Sequence, residues 1–512
     1  MLSIFKSKSD HPLASVKSAQ QLLDGLSKSD AVDMLQEMGH WIEVLFDPEN
    51  GFRLDHQFNV LRMFDEAAHP HLRKITYSYF AVIPPNEFQE NRQWNALSAY
   101  YTFADLAYLD LVVGLKNGEK GSASIRPHIA LICARGIYAV FGRLECAAVR
   151  YAQIDQQLWL QLSAFYACAE AENCLDEEVS LYVGPGASTT VRRLFASVLM
   201  WYSAGIGTFS PLHLHIAKRL IIYMNKSFLL EDFCQAESQF KFDLAQPLAP
   251  ARVKEEGAMY PDSMRFMGAG AAPGLLENLL KTLGKDLLPE NLNMGVAYGA
   301  EVVNDVAHNL SSCCQADLPE RQNPRRKIKV HMNVVNGYFG LVGQTNVEED
   351  FNRPSTERWE VEDISANGLS GILPAGQNSA VKIGALIGLQ PEKIPHWGVG
   401  IVRRLSRDSR DNLHVGVEML ASKLACVTLK GYDGINDGVD HHALLLEKPD
   451  AQNGESWVLM RTDSFSINRS PIMRADHQNF LMLPIALVEK GADFDLARYR
   501  KMEQDGSGDD AY

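Results

Sequence analysis

The feature that most constrains the fold is a change in the spacing of apolar residues between about residues 310 and 321. Before it, apolar side chains recur every three or four positions, as in Met34, Met38, Trp41 and Leu45, which is the spacing of one helical face. After it they recur every second position, as in Lys327–Val334, which is typical of a strand with one buried face. A helix-rich segment followed by a strand-rich segment indicates separate domains.

This pattern predicts an all-α N-terminal half followed by an antiparallel β-barrel with additional C-terminal strands. Turn-forming pairs such as Asn336-Gly337, Asp433-Gly434 and Asn453-Gly454 support antiparallel pairing. Further strands are expected at Trp359–Ile364, Gly371–Leu373, Val381–Leu389, Val399–Leu405, Leu413–Met419, Ala443–Leu446, Trp457–Arg461, Ser464–Asn468 and Phe480–Val488.

Two stretches of the helical half do not fit a simple helix. Residues 239–274 are interrupted by proline and glycine and are expected to form an irregular connection. Leu194–Ala217 lacks charged residues, but it contains Pro211 and two glycines near its middle. We therefore predict two buried helices, the second with Ser210 as N-cap and Pro211 as first residue, and no stable membrane insertion.

The distribution of charge limits the partners of the chain. The net charge is −14, which disfavours binding to a nucleic acid polymer or to an anionic membrane. Residues 321–502, however, carry 23 Lys and Arg against 22 Asp and Glu, so the acidity lies in residues 1–320 and in the tail. The C-terminal part can therefore bind a small anion.

The sequence contains little that indicates an enzyme. There is no Walker loop, no GxSxG turn and no His or Cys spacing typical of zinc, so we expect no catalytic residue, no metal and no cofactor. Gly184–Thr190 precedes a helix and offers backbone amides to a phosphate, but it lacks the lysine, and a Ser or Thr cap explains it better. A hydrolase in the helical half rests on this loop alone. The eight cysteines lack disulfide-like spacing and mostly lie in apolar helical text, which favours reduced thiols in the cytoplasm.

Two short motifs stand at the start of the β-rich half. Arg321 and Arg325 form an RxxxR motif, followed directly by Arg326, and Asp363, Ser365 and Gly368 form a DxSxxG motif about forty residues later. In this order, and with a closing strand at His414–Glu418, they resemble the PilZ domain of bacterial cyclic-di-GMP receptors. The resemblance covers about residues 321–429 and implies a β-barrel.

The resemblance also implies a ligand and a binding site. Arg321 and Arg325 would clamp cyclic-di-GMP, with Arg326 as a third candidate, while Asp363, Ser365 and Gly368 would contact the ligand from the barrel. These residue types suit a ligand with two phosphodiester charges and two guanines. Arginine can hydrogen-bond both phosphate oxygens and guanine, and aspartate can accept the N–H groups of a guanine. Ser365 can either donate to a phosphate or fix the turn.

We accordingly expect a cytoplasmic signal-transduction effector that binds this bacterial second messenger and transmits binding to an unidentified protein partner through its helical half. The alternative is a nucleotide-independent helical scaffold or adaptor with a structural β module. The expected organisation is a flexible N-terminus at 1–12, a helical domain at 13–238, the connection at 239–274, a helical segment at 275–318, a PilZ-like barrel at 319–431, an additional β unit or barrel extension at 432–500 and a disordered acidic tail at 501–512.

Overall fold

The structure is a computed structural model of the 512-residue chain. It describes residues 11–26, 30–83, 85–182, 188–254, 259–292, 298–315, 324–346, 354–365, 367–376, 381–430, 441–447, 454–475 and 478–503. The chain folds into two compact units, of which the first comprises residues 1–319 and the second residues 320–512. The predicted fold class is confirmed, because helices dominate the first unit and two closed six-stranded antiparallel barrels form the second.

Amphipathic helices pack around one large apolar core in the first unit. Of the predicted stripe, Met34, Met38 and Leu45 are buried in this core and Trp41 is partly buried against it. The helices are α1 Val16–Gly25, α2 Ala31–Leu45, α3 Leu54–Tyr79, α4 Glu87–Lys116, α5 Ser122–Ile125, α6 Ile129–Ala148, α7 Gln156–Ala171, α8 Val191–Ser203, α9 Pro211–Met224, α10 Ala272–Leu283 and α11 Ala300–Cys313.

The uncharged stretch Leu194–Ala217 folds as two helices, as predicted. The side chain of Ser210 accepts a hydrogen bond from the backbone N–H of His213, and Pro211 is the first residue of α9. Trp201 is fully buried and donates to the carbonyl oxygen of Leu214, which ties α8 to α9. Within the described ranges, no helix combines the length and the apolar character needed to cross a membrane.

Strands interrupt the first unit, which differs from the expected irregular connection at 239–274. A four-stranded antiparallel sheet has the order β1-β4-β2-β3. Its strands are β1 Leu229–Glu231, β2 Phe240–Asp243, β3 Ala251–Arg252 and β4 Met264–Gly268. The strands are too short to show a clear alternation of apolar residues, and Pro247, Pro250 and Pro261 lie in the turns between them, while Pro273 lies in the first turn of α10. The sheet therefore could not be predicted from the proline and glycine content of residues 239–274.

A buried ion pair links α4 and α6 inside the first unit. Asp105 is fully buried and accepts a hydrogen bond of 2.6 Å from Arg143, while its other carboxyl oxygen has no hydrogen-bond partner in the described part of the chain. Burial raises the pKa of Asp105 to about 6, although the hydrogen bond from Arg143 opposes the rise. Asp105 is therefore a charged group that destabilises the folded state near neutral pH.

Six strands close the first barrel of the second unit in the order β10-β7-β6-β5-β8-β9. Its interior contains Trp359, Val361, Ile387, Val402 and Val415, which are all fully buried, whereas Val399 and Ile401 are buried on the outside, in the core shared with α12 and the second barrel. The strands are β5 Arg326–Asn336, β6 Glu357–Ser365, β7 Gly368–Leu373, β8 Leu386–Pro391, β9 Gly398–Arg407 and β10 Leu413–Ala421. The predicted strand at Val381–Leu389 begins only at Leu386.

The remaining strands close a second barrel in the order β11-β12-β13-β16-β15-β14. They are β11 Leu424–Lys430, β12 His441–Leu446, β13 Glu455–Arg461, β14 Ile472–Ala475, β15 Gln478–Lys490 and β16 Phe494–Glu503. The first barrel is therefore shorter than the expected range 319–431, because β11 pairs with β12 and β14.

A carboxylate replaces strand pairing at Ser464–Asn468, where the predicted strand is absent. The carboxylate of Asp495 accepts hydrogen bonds of 2.8 and 2.9 Å from the backbone N–H groups of Ser464 and Phe465. These two N–H groups are thus bonded to a buried side chain from β16. The segment is a turn held by Asp495.

One short helix, α12 Gly337–Thr345, packs between the two barrels. The predicted Asn336-Gly337 turn is wrong as a hairpin, because it forms the corner between β5 and α12. Gly337 has a φ of +78°, and a Cβ atom there would lie 2.8 Å from the carboxylate of Asp493. That carboxylate accepts a hydrogen bond of 2.6 Å from the backbone N–H of Tyr338, and the Tyr338 hydroxyl donates to the carbonyl oxygen of His442 in the second barrel.

The substitution Asp105→Asn should make the stability of the first unit less dependent on pH. The folded-state pKa of Asp105 lies above its ordinary value of 3.8. The contribution of Asp105 to the free energy of unfolding is therefore complete only below about pH 4, where the carboxyl group is protonated in both states. It is lost as the pH rises through about 6, because the buried group must then become charged. Between these limits the wild type should lose about 3 kcal/mol relative to the variant.

Urea unfolding followed by the helical circular dichroism signal measures this difference. Asp24→Asn, at an exposed position of α1, is the isosteric control. If Asp105→Asn and wild type lose stability in parallel over this pH range, the carboxyl group does not titrate as proposed.

Candidate functional site

A polar cleft of about 510 Å³ opens on the outer face of the first barrel. Arg404, Gly416 and Ser370 are register partners across β9, β10 and β7, and the residues Leu405, Val415, Val417 and Leu369 beside them in sequence are buried in the interior. Because side chains alternate along a strand, these three residues face outwards. The cleft is lined by Arg325, Ser365, Asn367, Gly368, Ser370, Arg403, Arg404, Ser406, His414, Gly416, Val417 and Glu418.

Two irregularities in strand pairing increase the number of charged side chains on this outer face. Gly416 and Val417 of β10 pair with Arg404 and Val402 of β9, so Arg403 is an extra residue. A similar shift in β6 makes Glu362 an extra residue between Val361 and Asp363. Such β-bulges redirect side chains locally. Arg403 and Arg404 consequently line the same cleft although they are adjacent in the sequence.

The two sequence motifs meet beside the cleft, which Arg325, Ser365 and Gly368 line, while Asp363 contacts Arg325 but is not itself a lining residue. Arg325 lies in the segment before β5 and donates a hydrogen bond of 3.1 Å to Asp363 at the end of β6. The other carboxyl oxygen of Asp363 is buried and has no hydrogen-bond partner among the described residues. This aspartate therefore retains an unused acceptor, which a ligand N–H group can reach only after the surrounding groups move.

The DxSxxG turn is held by its own side chain and by close backbone packing. The Ser365 hydroxyl donates a hydrogen bond of 3.1 Å to the carbonyl oxygen of Gly368. A Cβ atom on Gly368 would lie 2.7 Å from the carbonyl oxygen of Val417 on β10. Ser365 is expected either to donate to a phosphate or to fix the turn, and in the structure its hydroxyl fixes the turn. Gly368 allows β7 to approach β10 at the edge of the cleft.

The remaining predicted arginines have different positions. Arg326 pairs with Ile364, whereas Lys327 pairs with Asp363. Register partners project from the same face, so Arg326 does not share the face of Asp363, and it does not line the cleft. Arg321 lies outside the described residues, and its assignment stays a prediction.

Carboxylates neutralise several of the positive groups in the cleft. Arg403 makes two hydrogen bonds of 2.7 Å to Glu489 on β15 and one of 2.8 Å to Glu418 on β10. Burial opposes its charge, but the hydrogen bonds to Glu489 and Glu418 outweigh burial and raise the pKa of Arg403. His414 lies between the carboxylates of Glu362 and Asp408, at 3.4 and 3.3 Å.

Sequence reasoning placed part of the cleft correctly. The alternation in Leu413–Met419 predicts that His414, Gly416 and Glu418 share a face, and all three line the cleft. Arg403 and Arg404 were recognised only as part of a strand. The bulge in β9 could not be predicted from the sequence pattern. Strict alternation would direct one of the two arginines into the barrel.

The glycine-rich stretch Gly184–Thr190 of the helical unit gives less information. Thr190 is the N-cap of α8, since its hydroxyl accepts a hydrogen bond of 3.2 Å from the backbone N–H of Arg193. Residues 183–187 lie outside the described residues. The cap accounts for the threonine, as the sequence analysis favoured.

Comparison with known families finds a match in the helical unit. Residues 17–231 match the family described as the N-terminal domain of the cyclic-di-GMP receptor FimW. This segment extends from α1 to the end of β1 and does not include the barrels. No curated protein matches the chain. The matched family thus concerns the half for which the sequence analysis identified no relative.

The substitution Gly368→Ala should loosen the edge of the cleft. The new Cβ atom would contact a backbone carbonyl that belongs to a paired strand and cannot move freely, so we expect a local loss of about 1–3 kcal/mol. Hydrogen exchange of peptides from β7 and β10 measures the local opening. Ser370→Ala, on the same strand and in the same cleft, should exchange like the wild type. Equal exchange in both variants would contradict the close packing at Gly368.

Proposed function

We propose that the chain is a cyclic-di-GMP receptor and that its ligand binds in the cleft of the first barrel, as in PilZ domains. The observation that carries this proposal is the 3.1 Å contact between Arg325 and Asp363, which joins the two motifs across 38 positions of sequence. The match of residues 17–231 to the N-terminal domain of a cyclic-di-GMP receptor supports it independently, because it concerns a different unit.

The chemistry of the cleft suits such a ligand. Arg325 is partly exposed, and an ion pair in this setting contributes only about 0–1 kcal/mol, so it can be exchanged at low cost. When the ligand binds, the guanidinium group turns to a phosphodiester oxygen, and Asp363 accepts N–H groups from a guanine edge. Both charged groups then have a new partner. Arg321, which precedes β5, is proposed to close over the ligand with Arg325, whereas Arg326 begins β5 on the face away from Asp363.

The same proposal includes the role and the place of the protein. The cleft serves recognition, with no catalytic step and no cofactor, and the protein acts in the bacterial cytoplasm, where the messenger is made. Binding alters the association of the helical unit with a protein partner. A nucleotide-independent adaptor is the competing function, and it predicts partner binding that ignores the ligand.

Titration calorimetry with cyclic-di-GMP tests the site. The wild type should bind with a dissociation constant well below about 1 mM, and Arg325→Ala should bind at least about tenfold more weakly, because a charge-assisted hydrogen bond is lost. Arg358→Ala is the matched control, since Arg358 on β6 also pairs with a carboxylate, that of Glu392, but lies outside the cleft. A wild type without measurable binding, or equal affinity of Arg325→Ala, would refute the proposal.

Affinity purification of the full chain tests the transmission of the signal. Recovery of a bound protein should change when cyclic-di-GMP is added to the wild type and should not change with Arg325→Ala. Recovery that is the same in all four samples would favour the adaptor function instead.

A further inference from the structure

The cationic groups of the cleft differ in how far their charge is compensated. Arg325 pairs with Asp363, Arg403 pairs with both Glu418 and Glu489, and His414 lies between two carboxylates. An anion that approaches any of these groups must compete with a carboxylate that is already in contact. Such a site attracts a dianion weakly unless another positive charge is present.

Arg404 is the exception. Its side chain is exposed and lines the cleft, and within the segments that the structure describes it has neither an ion-pair partner nor a side-chain hydrogen bond. Its register partner on β10 is Gly416, where a Cβ atom would lie only 3.1 Å from the Cβ atom of Arg404. The absence of a side chain at Gly416 keeps the floor of the cleft open beside the guanidinium group.

The bulge in β9 separates the roles of the two adjacent arginines. Arg403 binds Glu489 of the second barrel through two parallel hydrogen bonds and Glu418 through a third, so it ties the barrels together. Its removal would leave two carboxylates uncompensated. Arg404 makes no such contact with any residue that the structure describes, so it can approach a ligand without first breaking one of these ion pairs.

We propose that Arg404 is an affinity-determining residue that contacts a phosphodiester group of the ligand, an inference that rests on the proposed function. It lies outside both the RxxxR and the DxSxxG motif. Its row of register partners, from Arg404 through Gly416 and Ser370 to Asp363, crosses the outer face of the barrel. A ligand that bridges this row meets Arg404 at one end and Asp363 at the other, with a phosphate at the first and a guanine at the second.

Calorimetric titration of Arg404→Ala with cyclic-di-GMP tests this assignment. We expect the affinity to fall about 10- to 100-fold, the range for loss of a charge-assisted hydrogen bond. Arg410→Ala is the matched control, because Arg410 is exposed in the same β9–β10 hairpin and carries the same charge but does not line the cleft. Thermal unfolding of both variants verifies that the fold is intact.

The outcomes separate this inference from the function on which it rests. If the wild type binds no cyclic-di-GMP, the proposed function is wrong and the inference fails with it. If the wild type binds and Arg325→Ala is weakened, but Arg404→Ala binds as tightly as Arg410→Ala, only the role of Arg404 is refuted.

The salt dependence of binding tests the contact with phosphate. Affinity for a phosphate-bound charge falls as ionic strength rises, so the affinity of Arg404→Ala should depend less on salt than that of the wild type. A weakened variant with unchanged salt dependence would show that Arg404 contacts a base and would overturn the phosphate assignment.

Discussion

Closure of the first barrel is the constraint on which the candidate site depends. Once six strands close, every strand must direct alternate side chains into a dry interior and towards solvent. Val361, Leu369, Leu405 and Val415 fill the interior, and the alternate residues on β7, β9 and β10 include the polar residues of the cleft, while another part of the outer face packs against the second barrel. The cleft is therefore the outer surface of the barrel, and apolar packing fixes its shape without contributing to its chemistry.

Departures from this alternation give the cleft its charge. The bulges at Glu362 and Arg403 add one acidic and one basic group to the outer face. Most positive charges there are compensated by carboxylates, which suits a protein with a net charge of −14, because it limits non-specific attraction of polyanions. The guanidinium group of Arg404, which has no ion-pair partner among the described residues, is the group that we propose to attract one small anion.

Two lines of argument converge on the same class of ligand from different units of the chain. The paired motifs and their contact belong to the first barrel, whereas the family match belongs to the helices. Neither line depends on the other. The proposed receptor is accordingly a helical unit combined with a nucleotide-binding barrel. The second barrel is joined to the first by Arg403, Glu489 and the contacts of Tyr338.

The sequence by itself determined the features that depend on local interactions. The apolar period separated helices from strands, Ser210 and Pro211 marked the start of α9, and two motifs located Arg325 and Asp363 before any fold was known. Only the tertiary structure decided that β11 belongs to the second barrel, that 239–274 contains a sheet, that Asn336-Gly337 begins a helix, and that Arg403 and Arg404 share a face. These outcomes depend on which distant strand pairs with a segment, or on which distant carboxylate, such as that of Asp493, accepts a hydrogen bond from its backbone N–H groups. A local pattern of residues does not contain that choice.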